Sequence, residues 1–461
     1  MKAPKFKEFI SEAKSDQKYK LLIVTDEQEQ AKTFHTANRL QEEADKLKID
    51  NYLFRLASGT MTFENGVRKF HNKGDDKGFQ IGKDTVAIIR GSVVNKNSFM
   101  DFVSMLEREG ATVVNNRSTI NMCYDKYRAT IRLADYGLTQ PKTVLLNDFD
   151  EPGKQVEESE LEYPLIMKTL TGSKGVGVLF IESERALTGI VQALHKQNSD
   201  VDLLIQQYIK TDYDVRAHVL SGKIFAVMKR PVIEGDFRSN VSQGSEPKKH
   251  TLTELEKEQV LLAAKAMNGS WLAVDFIASS DREKEPPYIL EVNASAGTEG
   301  IEDVTNRNLS KEILQHFEDK KNRYATATEC GHREVVSIKP WGDMIAKFDT
   351  GNSVLSVIHG EDIKVKDDKV SFTLLGKRHT YPLEKTYKVK IGSIRDYTEE
   401  RPVIRLDVEF AGSLYKDEPF GIDDRSDMGT EVLLTRRIMT DMNVMVNPAR
   451  KYVVTTKYSL D

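Results

Sequence analysis

The chain has 461 residues, enough for about three domains at ~150 residues each, which excludes a single small binding module. Its 67 Lys plus Arg stand against 71 Asp plus Glu, a formal charge of −4, with neither the basic surplus of a nucleic-acid binder nor an acidic tail. No apolar run has the length of a membrane span, the opening MKAPKFKEFISEAKSDQKYK lacks a secretory core, and Cys123 and Cys330 are the only cysteines, so the expectation is a cytoplasmic protein that binds neither membrane nor nucleic acid.

After a charged opening helix, Lys20 to Thr25 (KLLIVT) is a short apolar run of the kind a buried parallel strand shows. Ala31, Phe34, Ala37, Leu40, Ala44 and Leu47 then recur at helical spacing. A second strand, 85–90, and a helix through Phe102 and Leu106 complete an N-terminal α/β domain over 1–118. From Ser118 the pattern predicts one helix carrying Asp125 and Lys126 to Tyr136, closed by Gly137. Strands are expected at 165–169, 177–181, 203–208 and 215–220, the last turning at Ser221-Gly222 into 224–229. A helix at 254–267, strands at 273–278 and 288–293, and a helix near 310–322 end an α+β block over 119–318. The polar stretch 319–333 reads as a linker, and 334–461 turns to short alternating strands, an all-β domain.

Three groups of residues carry candidate chemistry. Lys168 stands at a strand end before Gly172, Gly175 and Gly177, a loop whose backbone N–H groups could close over phosphate. It is neither a P-loop nor a dinucleotide fingerprint, because a strand follows it, and a tight turn is the plainer reading. Asp275 lies in AVDFI and Glu291 with Asn293 in ILEVN, so strand alternation puts these oxygen donors on one sheet face, a set suited to Mg²⁺. Acids in strands are more often satisfied by a partner, but unpaired carboxylates in apolar strands are costly and favour a metal. The third group, Asp214 with Arg216, Lys229 with Arg230, and GDFRSN at 235–240, could capture phosphate or carboxylate, although solvated charges are the simpler reading.

The stretches CYDKYRATIRLADYGLTQPKT, YPLIMKTLTGSKGVGV, LLIQQYIKTDYDVRAHVLSGKIFAVMKR, GDFRSNVSQG and ILEVNASAGTEGIE, in this order within residues 85–318, together resemble the ATP-grasp fold. The likeness is to its RimK-type branch of glutamate ligases, which includes enzymes that add amino acids to a ribosomal protein's C-terminus. The resemblance implies ATP and Mg²⁺ as cofactors, with two ions for which Mn²⁺ could stand in. It places Lys126 and Lys168 on the phosphates, Gln207 and Tyr208 at the adenine hinge, Asp214 at the ribose, Arg238 facing the transferred phosphate as a catalytic group, and Asp275, Glu291 and Asn293 on the metal. It also implies an amino acid and a peptide or protein carboxylate as substrates, joined through an acyl phosphate. Departures occur at Gln207, where the family usually has Glu, at Ser245, where it has Gly, and at Ala296, where it has Pro.

Farther on, DMIAKFDTGNSV ends a predicted strand in Asp349-Thr350-Gly351. As a tripeptide this is an ordinary hairpin turn; in aspartic proteases such a turn presents one acid of a proton-sharing pair. With IKPWGDMIAKFDTGNSV, ERPV at 400–403, DRSDM at 424–428 and VLLTRRIM, residues 335–455 resemble the RimB type of retropepsin-like proteins, described as ATP-dependent zinc proteases. Thr435 stands where that family usually has Gly. The resemblance implies catalysis by Asp349 paired with Asp349 of a second protomer, hence at least a dimer through this domain. Cys330, His332, His359 and His379 lack a zinc-ligand spacing. The expected architecture is an α/β and α+β ATP-grasp ligase followed by an all-β retropepsin-like domain. A nucleotide-gated scaffold with a peptide-binding β domain and a small-molecule peptide ligase are the alternatives.

Overall fold

The computed structural model describes residues 19–455 apart from 27–34, 65–66, 76–77, 171–176, 234–245, 324–326, 391–397 and 412. The chain packs as two compact units, Met1–Ala325 and Thr326–Asp461.

In the first unit, Lys20–Thr25 and Thr85–Arg90 run parallel at the centre of a four-stranded sheet, with Asn51–Arg55 and Thr112–Val114 at its edges. Strands covered on both faces need apolar residues pointing both ways, which Leu21 to Val24 and Val86 to Ile89 supply. Leu22, Val24, Ala87 and Ile89 pack with Phe54, Phe70 and Phe102 in one core. Leu21, Ile23, Val86 and Ile88 form another with Ala37, Leu40 and Ala44 of the helix His35–Lys46. Fully burying each such side chain stabilises by roughly 1.5–3 kcal/mol. The second core also takes in Trp271, Ile313, Leu314 and Phe317 from much later in the chain, and the Tyr19 hydroxyl donates to the Leu314 carbonyl at 2.8 Å.

Two antiparallel sheets make up most of the rest. One has the order Thr143–Leu146, Leu203–Gln207, Leu165–Thr169, Val178–Ile181, with Val156, Leu187 and Val191 of two helices in its core. The other has the order Lys248–Lys249, Lys223–Pro231, Tyr213–Leu220, Trp271–Ile277, Tyr288–Asn293. Its apolar side packs on the helices Lys126–Asp135 and Glu254–Met267, the second opened by a capping box in which Thr253 and Glu256 bond each other's backbone N–H. The single helix expected over 118–136 is two helices, Arg117–Tyr124 and Lys126–Asp135. Asp125 adopts an extended backbone between them, and its side chain accepts from Arg128 N–H at 2.8 Å. Helical spacing runs through both pieces, but an N-cap aspartate starts a new helix, which puts Lys126 in its first turn.

The second unit is built on a seven-stranded sheet in the order Arg333–Lys339, Gly342–Asp349, Val432–Thr435, Ser356–His359, Ser413–Asp423, Thr398–Phe410, Lys385–Lys390. Arg333–Lys339 also pairs with Thr398–Phe410, which curls the sheet back on itself. The strands are not its only elements: Arg436–Met442 is a helix that buries Ile438, Met439 and Met442. The stretch read as a linker holds a short 3₁₀ turn, Lys320–Asn322, and the strand Thr328–Gly331, which pairs in parallel with Val444–Asn447. A polar composition cannot reveal that pairing, because its partner lies more than a hundred residues downstream.

Candidate active site

Strand alternation sorts the residues of Tyr213–Leu220. Val215, Ala217 and Val219 enter the core, so Asp214, Arg216 and His218 take the other face. Antiparallel register then sets Arg230 opposite Asp214, Asp275 opposite Arg216, and Glu291 opposite Asp275, with Asn293 two residues on. Four adjacent strands thus assemble one polar face from side chains scattered over eighty residues of sequence.

The face is a charge lattice. Arg216 grips Asp275 in a two-pronged pair, Nε to Oδ1 at 2.7 Å and Nη2 to Oδ2 at 2.5 Å, and Arg230 reaches the same Oδ2 at 3.1 Å. Arg230 also holds Asp214 with two bonds, at 2.7 and 2.6 Å. Asp275 is 2% exposed. Burial alone would raise its carboxyl, yet Arg216 and Arg230 outweigh it and hold the group below the ordinary carboxylate range. The pairing corrects two readings from sequence. Asp275 is not an unpaired carboxylate, and Arg216 and Arg230 are not solvated charges. Their position at i and i+2, or opposite, from acids on the same strands was the available signal.

Asn293 Nδ2 lies 3.0 Å from Glu291 Oε1 and 3.4 Å from Asp275 Oδ2. Three oxygen-bearing groups therefore sit within reach of one ion, and a turn of the Asn293 amide offers its oxygen. The set fits a hard divalent cation that keeps waters and shares phosphate oxygens.

Two lysines complete the charge pattern. Lys168 Nζ donates to Gln206 Oε1 at 2.6 Å, and Gln206 Nε2 donates in turn to Thr143 Oγ1 at 2.9 Å. Burial lowers the Lys168 ammonium to about 8, with the Glu291 charge opposing the shift and Lys126 adding to it. Lys126, its ammonium directed to the Leu170 carbonyl at 3.4 Å, is also lowered by burial and supported by Glu291. The charge of Glu291 thus favours the charged form of both lysines. Gln207 ends the strand Leu203–Gln207, its backbone N–H bonded to Lys142 O at 2.8 Å, and Tyr208 packs edge-on against Phe180 with centroids 5.0 Å apart. Both oxygens of Asp214 are engaged by Arg230, so any ribose contact it makes is shared with that pair. Gly177 has φ +82°, and a Cβ there would meet Thr169 Oγ1 at 2.4 Å, so the residue just before the strand Val178–Ile181 has to be glycine. Gly172, Gly175, Arg238 and Ser245 lie outside the described residues. Sequence reasoning missed Gln206.

In the second unit, Asp349 ends its strand and accepts from Gly351 N–H at 3.0 Å, while Lys347 Nζ stands 3.8 Å away. Thr435 is its register partner on the neighbouring parallel strand, its hydroxyl 3.3 Å from that of Ser356. His359 Nδ1 accepts from Arg425 N–H at 3.0 Å, His379 Nδ1 lies 3.3 Å from Trp341 Nε1, and Cys330 is buried in the core.

Known proteins match both units. A family model for the RimK-like ATP-grasp domain covers residues 123–317, and one for the retropepsin-like aspartic endopeptidase RimB covers 330–457. A probable alpha-L-glutamate ligase of Marinomonas sp. (strain MWYL1) is 32% identical over 229 residues, 49% of this chain and 73% of that protein. Its counterpart in Photobacterium profundum is 29% identical over 305 residues, 64% of this chain and 96% of the other. Among solved structures, the ATP-grasp ligase PsnB with a phosphomimetic variant of its minimal precursor, Mg and ADP superposes with a TM-score of 0.50 at 16% identity, covering 66% of this chain and 99% of that one. The macrocyclase MdnC of Microcystis aeruginosa MRC, bound with precursor peptide MdnA, gives 0.50 at 14% identity, covering 65% and 99%. The lysines and the acid–arginine face lie within the matched region, and the chain belongs to the RimK-type ATP-grasp ligases, with a RimB-like retropepsin-like domain after the ligase part.

Proposed function

We propose that the first unit joins an amino acid, such as glutamate, to the carboxylate of a peptide or protein acceptor at the expense of ATP. The observation that carries this reading is the face on which Asp275, Glu291 and Asn293 meet Arg216 and Arg230, with Lys126 and Lys168 acting on the same acid. Lys126 and Lys168 hold the nucleotide phosphates, Gln207 and Tyr208 take the adenine at the strand end, and Asp214 serves the ribose side while fixing Arg230. The γ-phosphoryl group passes to the acceptor carboxylate, leaving ADP and an acyl phosphate. The amine of the second substrate attacks the acyl carbon, the C–O bond to phosphate breaks, and an amide, phosphate and a proton result. Bound at Asp275, Glu291 and Asn293, Mg²⁺ would neutralise phosphate charge and polarise the transferred group. Arg216 and Arg230 are already oriented by two carboxylates, so they offer fixed positive charge without reorganising. Arg238 is the candidate for the transferred phosphate itself. No covalent enzyme nucleophile takes part.

The second unit is proposed to cleave peptides, its Asp349 pairing with Asp349 of another protomer so that one carboxyl is neutral and the other ionised. The Gly351 N–H that steadies Asp349 supports this reading. Intact-mass analysis of peptide acceptors incubated with enzyme, Mg-ATP and amino acids tests both halves. Residue-sized mass increments that lengthen in an Asp349→Asn variant are expected. ATP hydrolysis with no mass change on any acceptor overturns the ligase reading, and identical product ladders with and without Asp349 overturn the protease reading.

A further inference from the structure

The strand that carries Asp275 and the strand that carries Glu291 and Asn293 are paired as far as the rung Ala273–Asn293, where their ladder ends. Beyond that rung the N-terminal domain takes over. Asn115, the residue after the strand Thr112–Val114, is 1% exposed and spends its whole amide there. Its Oδ1 accepts from the N–H groups of Ser270 at 2.7 Å and Trp271 at 3.1 Å, and its Nδ2 donates to the carbonyls of Trp271 at 2.6 Å and Ala294 at 2.8 Å. One side chain thus bonds both the backbone entering the Asp275 strand and the backbone leaving the Asn293 strand, in place of a further rung.

Arg90 ends the neighbouring parallel strand and grips the next two residues. It is 4% exposed, its guanidinium lies 4.6 Å from the centroid of the Trp271 ring, and Nη2 donates to the carbonyls of Ser295 at 3.1 Å and Ala296 at 2.6 Å. Beside it Gly91 N–H donates to Ser295 Oγ at 3.0 Å, and farther along Thr298 N–H donates to Thr36 Oγ1 at 3.0 Å. Ala294, Ser295, Ala296 and Thr298 are therefore each held by a residue of the N-terminal domain. Arg90 and Asn115 do more, because each touches Trp271 as well and so spans the ends of both donor strands. Bonds from a guanidinium that also stacks on an indole are charge-assisted and directional, and oxygen donors bind a hard cation tightly only when their spacing is held.

We propose that Arg90 and Asn115 are positioning residues of the ligase centre: by bridging the ends of the two strands they fix Asn293 relative to Asp275, and so set the affinity of that face for its divalent cation. This rests on the cation reading of Asp275, Glu291 and Asn293 given above, and adds what holds the set in place. Both residues act through backbone groups, so the nucleotide itself should bind without them. The test uses the full chain with a non-hydrolysable ATP analogue and Mn²⁺ as the probe, its binding followed by electron paramagnetic resonance. Arg90→Lys keeps the charge but not the planar fork. It is expected to weaken Mn²⁺ by about tenfold, while the analogue binds with wild-type affinity when no divalent cation is present, and its amide formation should recover at raised Mg²⁺. Arg90→Met and Asn115→Ser should lose Mn²⁺ in the same way. Arg132 is the control: it too donates to a backbone carbonyl, Ala266 O at 3.0 Å, and stacks on Tyr136, but away from the donor strands. Arg132→Lys should leave Mn²⁺ affinity unchanged. Undiminished Mn²⁺ affinity in the Arg90 and Asn115 variants, or an equal loss in Arg132→Lys, overturns the proposal. Glu291→Gln tells the two readings apart. If it binds Mn²⁺ as wild type does, the cation reading falls and the bracing with it, whereas a loss in Glu291→Gln with none in Arg90→Lys, Arg90→Met or Asn115→Ser sinks the bracing alone.

Discussion

Asp275 and Asp349 are both strand acids, and their surroundings could hardly differ more. Asp275 is 2% exposed and held by two guanidiniums, with Glu291 and Asn293 beside it on the next strand. Asp349 keeps 28% of its side chain exposed and receives one backbone N–H from its own turn. The charges of the first are paired within one chain, because antiparallel register brings them together from four strands. The second offers a single carboxylate, and the chemistry proposed for it needs a second copy. Burial is thus matched to self-sufficiency: a charge can be sealed in where its counter-charges come with the fold.

The largest effect should come from removing oxygen donors on the ligase face. Glu291→Gln and Asn293→Ala are expected to lower amide formation by ~100-fold or more with little change in fold, since neither is gripped by an arginine. Equal activity would remove the face from the reaction. Asp275→Asn should do worse for stability, costing roughly 3–5 kcal/mol because Arg216 and Arg230 would be left sharing a weakened partner. Urea unfolding reads that, and a melting curve identical to wild type would refute the charge lattice.

The second unit has its own self-contained acid, which sharpens the contrast. Glu334 is fully buried, and its oxygens accept from the backbone N–H groups of Gly331 at 2.6 Å, Val453 at 2.8 Å and Thr455 at 3.0 Å and from the Thr455 hydroxyl at 2.6 Å. Glu334→Gln turns an acceptor into a donor facing donors, and should cost about 1.5–3 kcal/mol, whereas Asp349→Asn, at the open site, should leave thermal stability within about 0.5 kcal/mol. Thermal denaturation of the two variants side by side tests this, and equal destabilisation would erase the distinction. The smallest effect concerns pH. Lys168 is charged below about 8 and neutral above it, and phosphate needs the charged form. Nucleotide affinity should therefore decline as pH rises through 8, with proton uptake on binding between pH 8 and the ordinary lysine value near 10.5. A flat affinity profile over that range would separate Lys168 from the phosphates.

Much of this is legible without coordinates where the signal is local. The helix Glu254–Met267 and the strands Leu165–Thr169 and Tyr288–Asn293 stand where periodicity puts them, because a run of apolar residues at period 3.6 or 2 depends on near neighbours only. The break at Asp125 escapes a reading by periodicity because the periodicity continues through it. The strand Thr328–Gly331 is hidden in a polar stretch, and the role of the arginines is hidden for the same kind of reason: whether a charge is solvated depends on what lies across the sheet.

By itself, then, the sequence determined the class of element at most positions, the same-face placement of Glu291 and Asn293, and the family, through motifs whose order and spacing are rarely met by chance. Tertiary structure alone decided that Asp275 is held by Arg216 and Arg230, that Lys168 leans on Gln206, and that Arg90 is buried with its guanidinium on the carbonyls of Ser295 and Ala296. The physical reason is that periodicity is set by bonds along the chain, whereas register, burial and the cost of an unpaired charge are set by residues far apart in sequence, as Arg90 is from Ala296.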